Sequence, residues 1–277
     1  MPEIAEVRTV ATVLKKQILN KKIKDVNVLY KGIITNDLDY FKKCLIGNEI
    51  LDIKTKGKWL LFYLNDYILL SHLRMEGKYF IKNIEEEINK HEHVIFEFEN
   101  FSLRYHDTRK FGKMTIIKQN EIDTYESLSK LGPEPFDKTL TKDYLYNKLH
   151  NKNLSIKTLL LDQTIINGLG NIYANEVLFE SGINPTKVGK EINIDECQKI
   201  IESSKKIVKK AIEEGGTTIK SYTSSLGVEG NYQKYLRVHM KENEECSVCK
   251  NKIEKIKVNG RSTYYCPKCQ KWIYKKK

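Results

Sequence analysis

Cys246-Ser247-Val248-Cys249, then Asn259-Gly260-Arg261, then Cys266-Pro267-Lys268-Cys269 decides the fold of the C-terminal end of this chain, and the rest is read outward from it. Two C-x₂-C pairs enclosing residues 250–265 have the spacing of a tetrahedral four-cysteine zinc site. Between them, Ile256 and Val258 alternate with Lys255 and Lys257. Asn-Gly, the strongest two-residue turn signal, follows, and then Ser262-Thr263-Tyr264-Tyr265. That pattern predicts a β-hairpin whose open ends are pinned by one zinc ion and whose tip presents Arg261. Four thiolates leave no open position on the metal, so its role is structural. A small module displaying Arg and Lys suits phosphates. Read alone, it also fits a zinc ribbon with no nucleic-acid role.

The chain has 277 residues, enough for two domains with proper cores, and its 48 Lys+Arg against 36 Asp+Glu give a formal net charge of +12. Such a surplus favours a polyanionic partner such as DNA, RNA or an anionic membrane, or belongs to a merely basic soluble enzyme. No signal peptide and no membrane-length apolar run is visible. Tyr67–Leu73 is apolar but short and reads as a buried strand. Four of the six cysteines fall in the zinc pattern. The usage suits a reducing cytosol, with Cys44 and Cys197 as small buried residues on helices.

The N-terminal third begins with a helix. Val7, Val10, Ala11, Leu14 and Ile18 form one apolar stripe. Short strands follow at Ile23–Tyr30, Glu49–Thr55, Lys58–Leu64, Tyr67–Arg74, His93–Glu99, Ser102–Tyr105 and Lys113–Ile117, with a helix near Leu38–Leu45. Many short strands separated by turn signals suggest a sandwich or barrel. Leu131-Gly132-Pro133-Glu134-Pro135 marks a hinge. Helices follow at Lys142–Leu149, Ser155–Gln163, Asn171–Ser181 and Ile194–Glu214, the last stopped by Gly215-Gly216. Thr223–Asn231 has no apolar periodicity and reads as a loop.

Several segments carry candidate chemistry. Gly168 and Gly170 lie between two short helices, and Asn171 is placed to cap the second, whose N-terminus would offer N–H groups to an anion. An ordinary helical hairpin has the same look. Asp107-Thr108-Arg109-Lys110-Phe111-Gly112 is either a loop able to wedge into a base stack or a turn whose Phe packs inward. Met75, after His72-Leu73-Arg74, is a core residue by default and a wedge by the minority reading. His72, His91, His93 and His106 show no metal spacing. Removal of Met1 would leave Pro2 with a secondary amine, partly neutral at cellular pH, beside Glu3 as acid or base.

Together these segments resemble the bacterial formamidopyrimidine-DNA glycosylase family along essentially the whole chain. The resemblance rests on Met1-Pro2-Glu3-Ile4, Gly57-Lys58-Trp59-Leu60, His72-Leu73-Arg74-Met75 and Asp107-x-Arg109-x-Phe111-Gly112. It also rests on Leu159–Thr164 through Gly168–Glu176, on Gly215-Gly216-Thr217-Thr218, and on the zinc hairpin with Gly260-Arg261-Ser262-Thr263. The family implies an α+β fold. An N-terminal β-sandwich with flanking helices (1–131) precedes a helical domain with a helix–two-turn–helix (132–236) and a zinc-finger hairpin (237–277). It implies a monomeric, cytoplasmic enzyme that binds damaged double-stranded DNA in a basic cleft. Pro2 would attack C1′ of an oxidised purine nucleotide, and the strand would be cut by β- and δ-elimination through a Schiff base.

On the same implication Glu3 moves protons on the sugar, with Lys58 and Arg261 as further proton donors. Lys58, Asn171 and Arg261 grip phosphates, His91 contacts DNA, and Lys157 assists near the lesion. Met75, Arg109 and Phe111 fill the gap left by the extruded base, Arg109 reading the opposite cytosine, and Thr223–Tyr232 closes over that base. Cys246, Cys249, Cys266 and Cys269 hold the zinc. The sequence departs from the family pattern at Ala5, usually proline, and Arg8, usually glutamate, which leaves the seating of the first helix open. The sister endonuclease VIII activity on oxidised pyrimidines shares the nucleophile and zinc hairpin, but the Met75, Arg109 and Phe111 set favours purines. A non-catalytic zinc protein binding nucleic acid by charge would need no amine at residue 2.

Overall fold

A computed structural model of the chain describes residues 1–217 and 230–272. The chain divides into two compact units, Met1–Ser129 with Glu214–Asn231, and Lys130–Glu213 with Tyr232–Lys277.

The first unit opens with α1 (Ile4–Ile18), which buries the expected stripe of Val7, Val10, Ala11, Leu14 and Ile18. Then come β1 (Asp25–Val28), α2 (Leu38–Leu45), β2 (Asp52–Lys56), β3 (Trp59–Tyr63), β4 (Tyr67–His72), β5 (Lys78–Lys82), β6 (Glu92–Glu97), β7 (Ser102–His106), β8 (Lys113–Lys118) and the short α3 (Glu126–Ser129). The strands form two antiparallel four-stranded sheets, β1-β6-β7-β5 and β2-β3-β4-β8. One apolar core joins them. Phe62, Leu69 and Met114 of one sheet share it with Phe96, Leu103 and Tyr105 of the other and with the stripe of α1. This is the expected sandwich, and Tyr67–Leu73 is the expected buried strand at its centre. Strand β5 was not anticipated. Lys78-Tyr79-Phe80-Ile81-Lys82 buries only Tyr79, so its alternation is too weak to read without the neighbouring β7.

A buried side chain gathers much of loop 83–91 of this unit. Arg104, on β7, is 1% exposed. Its guanidinium donates to Glu92 Oε2 (3.0 Å), to Ser102 Oγ (2.9 Å) and to the carbonyls of Asn83 (2.9 Å), Glu86 (2.8 Å) and Glu87 (3.1 Å). Five donors in a rigid fork suit this task, and a lysine could not satisfy the same set.

The second unit contains α4 (Lys142–Leu149), α5 (Ile156–Leu160), α6 (Asn171–Glu180), α7 (Ile194–Glu213), and the hairpin of β9 (Glu254–Val258) and β10 (Arg261–Tyr265). Helix α5 ends earlier than the expected Gln163. Asp162 Oδ1 takes the Thr164 N–H (2.9 Å) and hydroxyl (2.8 Å), forming an Asx turn that competes with helical bonding. Gln163 then ties the turn, its amide donating to the carbonyls of Leu161 and Leu169 and its Oε1 accepting from the Gly168 N–H. Helix α7 ends at Gly215-Gly216, both with positive φ (73° and 81°), as expected of a helix stop. Cys44 on α2 and Cys197 on α7 are buried, as expected. Among the described residues no helix is long and apolar enough to cross a membrane.

Replacing Arg104 by Met should destabilise the first unit by about 2–4 kcal/mol, because the carbonyls of Asn83, Glu86 and Glu87 lose their donor and Glu92 is left with Lys82 (2.9 Å) and the Asn89 N–H (3.1 Å). Urea denaturation measures this. A loss below about 1 kcal/mol would mean that the guanidinium is not what holds loop 83–91.

Candidate functional site

The start of the chain is built around two buried carboxylates. Pro2 is buried and Glu3, the N-cap residue of α1, is 2% exposed. The Glu3 N–H donates to Glu6 Oε2 (2.8 Å), the reciprocal bond of a capping box. The other oxygen of Glu6 accepts from the Thr217 N–H (2.7 Å) and hydroxyl (3.0 Å). Gly216 makes room for this bond. Its φ is +81°, and a Cβ there would stand 2.8 Å from Glu6 Oε1. Glu6 is thus the anchor that seats the start of α1, a role the sequence reading left unassigned. Its signal was the Glu3-x-x-Glu6 spacing of the capping box.

Lys58 is 6% exposed, in the turn between β2 and β3. The terminal amine, on Met1, has its pKa lowered from 8.0, chiefly by burial and also by Lys58, while Glu3 and Glu6 oppose the shift. Burial disfavours the charged form, so more of the amine is neutral and nucleophilic at a given pH. His72 is pushed down to about 3 by burial, by Arg74 and by Lys58. Its neutral Nδ1 accepts from the Arg74 N–H (3.0 Å), and its ring meets Trp59 edge-on at 4.8 Å. That bond supports Arg74 at φ +54°, an uncommon backbone for arginine. His72 is therefore a structural residue, as its lack of metal spacing suggested.

Two loops follow from this turn. Met75 is half-buried, so it lies at the surface edge rather than in the core. Across from it, the buried Asp107 organises the 107–112 loop. Its Oδ1 accepts from the Arg109 N–H (3.0 Å) and its Oδ2 from the Gly112 N–H (2.8 Å). Residue 112 must be glycine, since a Cβ there would come 1.7 Å from the Tyr105 hydroxyl. Phe111 is 49% exposed, with the Arg109 guanidinium 4.6 Å from its ring centroid. The inward-packing alternative for Phe111 is thereby excluded. The Thr108 hydroxyl donates to the Glu76 carboxylate, coupling the loop of Met75 to the loop of Arg109 and Phe111. His91 is half-buried, its ring 5.5 Å from that of His106.

In the second unit, Lys157, Asn171 and Arg261 converge on β10. Lys157 is fully buried. Its Nζ donates to the Ser262 carbonyl (2.8 Å) and to Thr263 Oγ1 (2.6 Å). Asn171 does not cap α6 as expected. The N-cap is Gly170, in extended backbone, and Asn171 is the first helical residue, its Nδ2 donating to the Ser262 carbonyl (3.1 Å). Farther along α6, Asn175 Nδ2 meets His239 Nδ1 (2.7 Å). The buried Glu176 accepts from the N–H groups of Arg237 (2.9 Å), Val238 (3.0 Å) and His239 (2.8 Å). These two residues fix the segment leading into the hairpin. They lie inside the motif Gly168–Glu176, but nothing in the spacing gave their partners. Asn259 and Gly260 both have positive φ (46° and 73°), the requirement of a type I′ hairpin turn, and Arg261 stands exposed beside it.

Cys246, Cys249, Cys266 and Cys269 bring their sulfurs within 4.8 Å of one another. The pairs Cys246–Cys269 and Cys249–Cys266 are 3.8 and 3.4 Å apart. Tetrahedral zinc–thiolate bonds of about 2.3 Å place sulfurs about 3.8 Å apart, so the cage fits one structural zinc ion. The Asn251 N–H helps to hold the Cys249 thiol down to about 7, favouring the ligating thiolate. Of the loop expected at Thr223–Tyr232, residues 223–229 lie outside the described residues.

Three family models match the chain. They are the formamidopyrimidine-DNA glycosylase N-terminal domain over residues 1–114, the formamidopyrimidine-DNA glycosylase helix–two-turn–helix (H2TH) domain over 131–223, and the zinc finger found in that glycosylase and in isoleucyl-tRNA synthetase over 243–271. Formamidopyrimidine-DNA glycosylases of Bacillus cereus and Listeria monocytogenes are 42% and 41% identical. The matches cover 98% of this chain and 99% and 100% of those proteins. Among solved structures, a Lactococcus lactis glycosylase mutant bound to DNA containing a formamidopyrimidine lesion superposes with a TM-score of 0.94. Its identity is 38%, over 98% of this chain and 100% of that one. The Lactococcus lactis enzyme bound to DNA with an abasic site gives 0.92 at 37% identity.

The purified chain should carry one zinc, and the Cys266→Ser chain far less. Metal analysis and thiol titration of Cys246 and Cys249 check this. Near-stoichiometric zinc in Cys266→Ser would exclude a four-thiolate site.

Proposed function

The chain belongs to the formamidopyrimidine-DNA glycosylase family, and from that premise we propose that it is a bifunctional DNA glycosylase and abasic-site lyase acting on oxidised purines in duplex DNA. The single observation that carries the chemistry is the buried Pro2 at the start of the chain, next to the buried Glu3 that caps α1. With Met1 removed, the secondary amine of Pro2 is the nucleophile. It attacks the deoxyribose C1′, and the C1′–N bond to the damaged base breaks. Glu3 handles the protons that ring opening and base departure require, and Lys58 donates others. The resulting imine acidifies C2′, so the strand is cut by β- and then δ-elimination.

A glycosylase must extrude its base and fill the gap that this leaves. Met75, Arg109 and Phe111 suit the filling. They are carried by two coupled loops with buried anchors, and Phe111 is exposed and backed by a cation rather than by the core. Arg109 is the group to read the opposite cytosine. Lys58, His91, Asn171 and Arg261 supply backbone contacts, which position without reading sequence. The formal net charge of +12 supports that mode of binding. The enzyme works as a monomer in the cytoplasm, where its zinc thiolates stay reduced.

Borohydride reduction during turnover on an 8-oxoguanine duplex should trap a covalent adduct at residue 2, located by mass mapping. An adduct on any lysine would refute Pro2 as the nucleophile. A retained N-terminal tag should abolish trapping while sparing DNA binding. Trapping should slow as pH falls and the Pro2 amine takes up a proton, since only the neutral amine attacks. Arg109→Ala should narrow the preference for cytosine over adenine opposite the lesion, with little change in the cleavage rate of an abasic duplex. A thymine-glycol duplex cut faster than the 8-oxoguanine duplex would instead favour the pyrimidine reading.

A further inference from the structure

The resemblance places Lys157 near the lesion, yet its side chain is fully buried and its ammonium is bonded to β10. A side chain with no exposed surface cannot touch an extruded base without leaving that position. Its two acceptors flank the residue at the hairpin tip. Lys157 Nζ donates to Thr263 Oγ1, and the same hydroxyl donates to the Arg261 carbonyl (3.0 Å). Lys157 and Asn171 both donate to the next carbonyl, that of Ser262. The Ser262 carbonyl is thus held directly from α5 and α6, and the Arg261 carbonyl through Thr263.

We propose that Lys157 is a positioning residue that aims Arg261. This rests on the reading of Arg261 as a phosphate contact. A two-stranded hairpin is marginal by itself. The four cysteines clamp only its open end, and β10 runs from Arg261 at the tip to Tyr265 beside Cys266. The tip needs a second anchor if Arg261 is to meet a phosphate without a large ordering cost. A buried ammonium is suited to this. It is costly to bury without partners, so it holds its acceptors firmly, and it reaches a carbonyl and a hydroxyl at once. Thr263, fully buried on β10, relays that hold to the Arg261 backbone.

The test compares Lys157→Met, Thr263→Val and Arg261→Ala in the full zinc-loaded chain. Thr263→Val keeps the lysine charge and removes only the relay. Amide exchange of the 255–265 segment should quicken in both anchor variants, with one zinc retained. The slope of log K against log salt on a tetrahydrofuran-abasic duplex should fall by about 0.9, one phosphate's share, in all three. Adding Lys157→Met to Arg261→Ala should lower it no further. A loss of stability alone would not move the salt slope. Unchanged exchange at the tip in both anchor variants would overturn the proposal. So would loss of 8-oxoguanine excision in Lys157→Met with abasic-duplex binding intact, the signature of a direct lesion contact. If Arg261→Ala leaves the slope untouched, the phosphate reading fails by itself, and exchange at the tip still decides whether Lys157 holds it.

Discussion

The Glu6 carboxylate is the interaction on which the N-terminal end of the chain depends. It is 5% exposed, and a carboxylate cannot be buried at that depth without donors on both oxygens. The donors come from two distant places, the N–H of Glu3 and the N–H and hydroxyl of Thr217. One acid therefore fixes how the chain enters α1 and brings the segment after α7 back into the N-terminal unit. Ala5 and Arg8 fit this arrangement. Ala5 is fully buried in the first turn of α1, where its small side chain needs no space, and Arg8 is half-buried one turn on. The capping box holds the start of the helix without a proline.

The same principle recurs at the loops of Met75 and Phe111, for which a wedge role is proposed above. A loop that must push into stacked bases has to be rigid before it meets them. Here rigidity comes from a buried aspartate with two backbone donors, from a neutral histidine holding a left-handed arginine, and from a hydroxyl–carboxylate bond joining the loops. Arg74 and Lys110 both carry positive φ, a conformation that costs a residue with a Cβ about 1 kcal/mol or more. Both stand in these two loops, where the surrounding hydrogen bonds sustain that cost. The exposed side chains between them are carried on backbone that does not need to be ordered on binding.

In the second unit the organising element is α6. Along it, Asn171, Asn175, Glu176 and Glu180 all make polar bonds. They bond, respectively, the Ser262 carbonyl, His239 with the Tyr264 N–H, the three N–H groups of residues 237–239, and Arg237 with Lys206. A helix that is buried nearly all round usually carries apolar side chains throughout. This one instead buries polar groups on the side facing the hairpin and its lead-in. Satisfied polar networks of this kind specify one arrangement where apolar contacts would tolerate several. The zinc cage and the polar face of α6 then divide the work of holding the hairpin.

Much of this was written in the local sequence. The zinc cage, the type I′ turn at Asn259-Gly260, the stripe of α1, the buried strand at Tyr67–Leu73 and the stop at Gly215-Gly216 all rest on short-range spacing or on the backbone preference of one residue. Such signals survive in a linear reading. Pro2, Glu3, Lys58, Arg109, Phe111 and Arg261 were singled out through short motifs and the family resemblance those motifs carry, and their roles are proposals. Strand β5 was not, because its half-exposed residues become a strand only through pairing with β7. Nor were the partners of Glu6, the inward course of Lys157, or the use of Asn171 as a strut rather than a cap. Each depends on an acceptor or donor 90 or more positions away in sequence. Local spacing named the candidate residues and the turns that carry them. Only the tertiary structure decided where the buried charges went, because burying a charge requires a specific partner, and distant chain segments become partners only once the fold has brought them together.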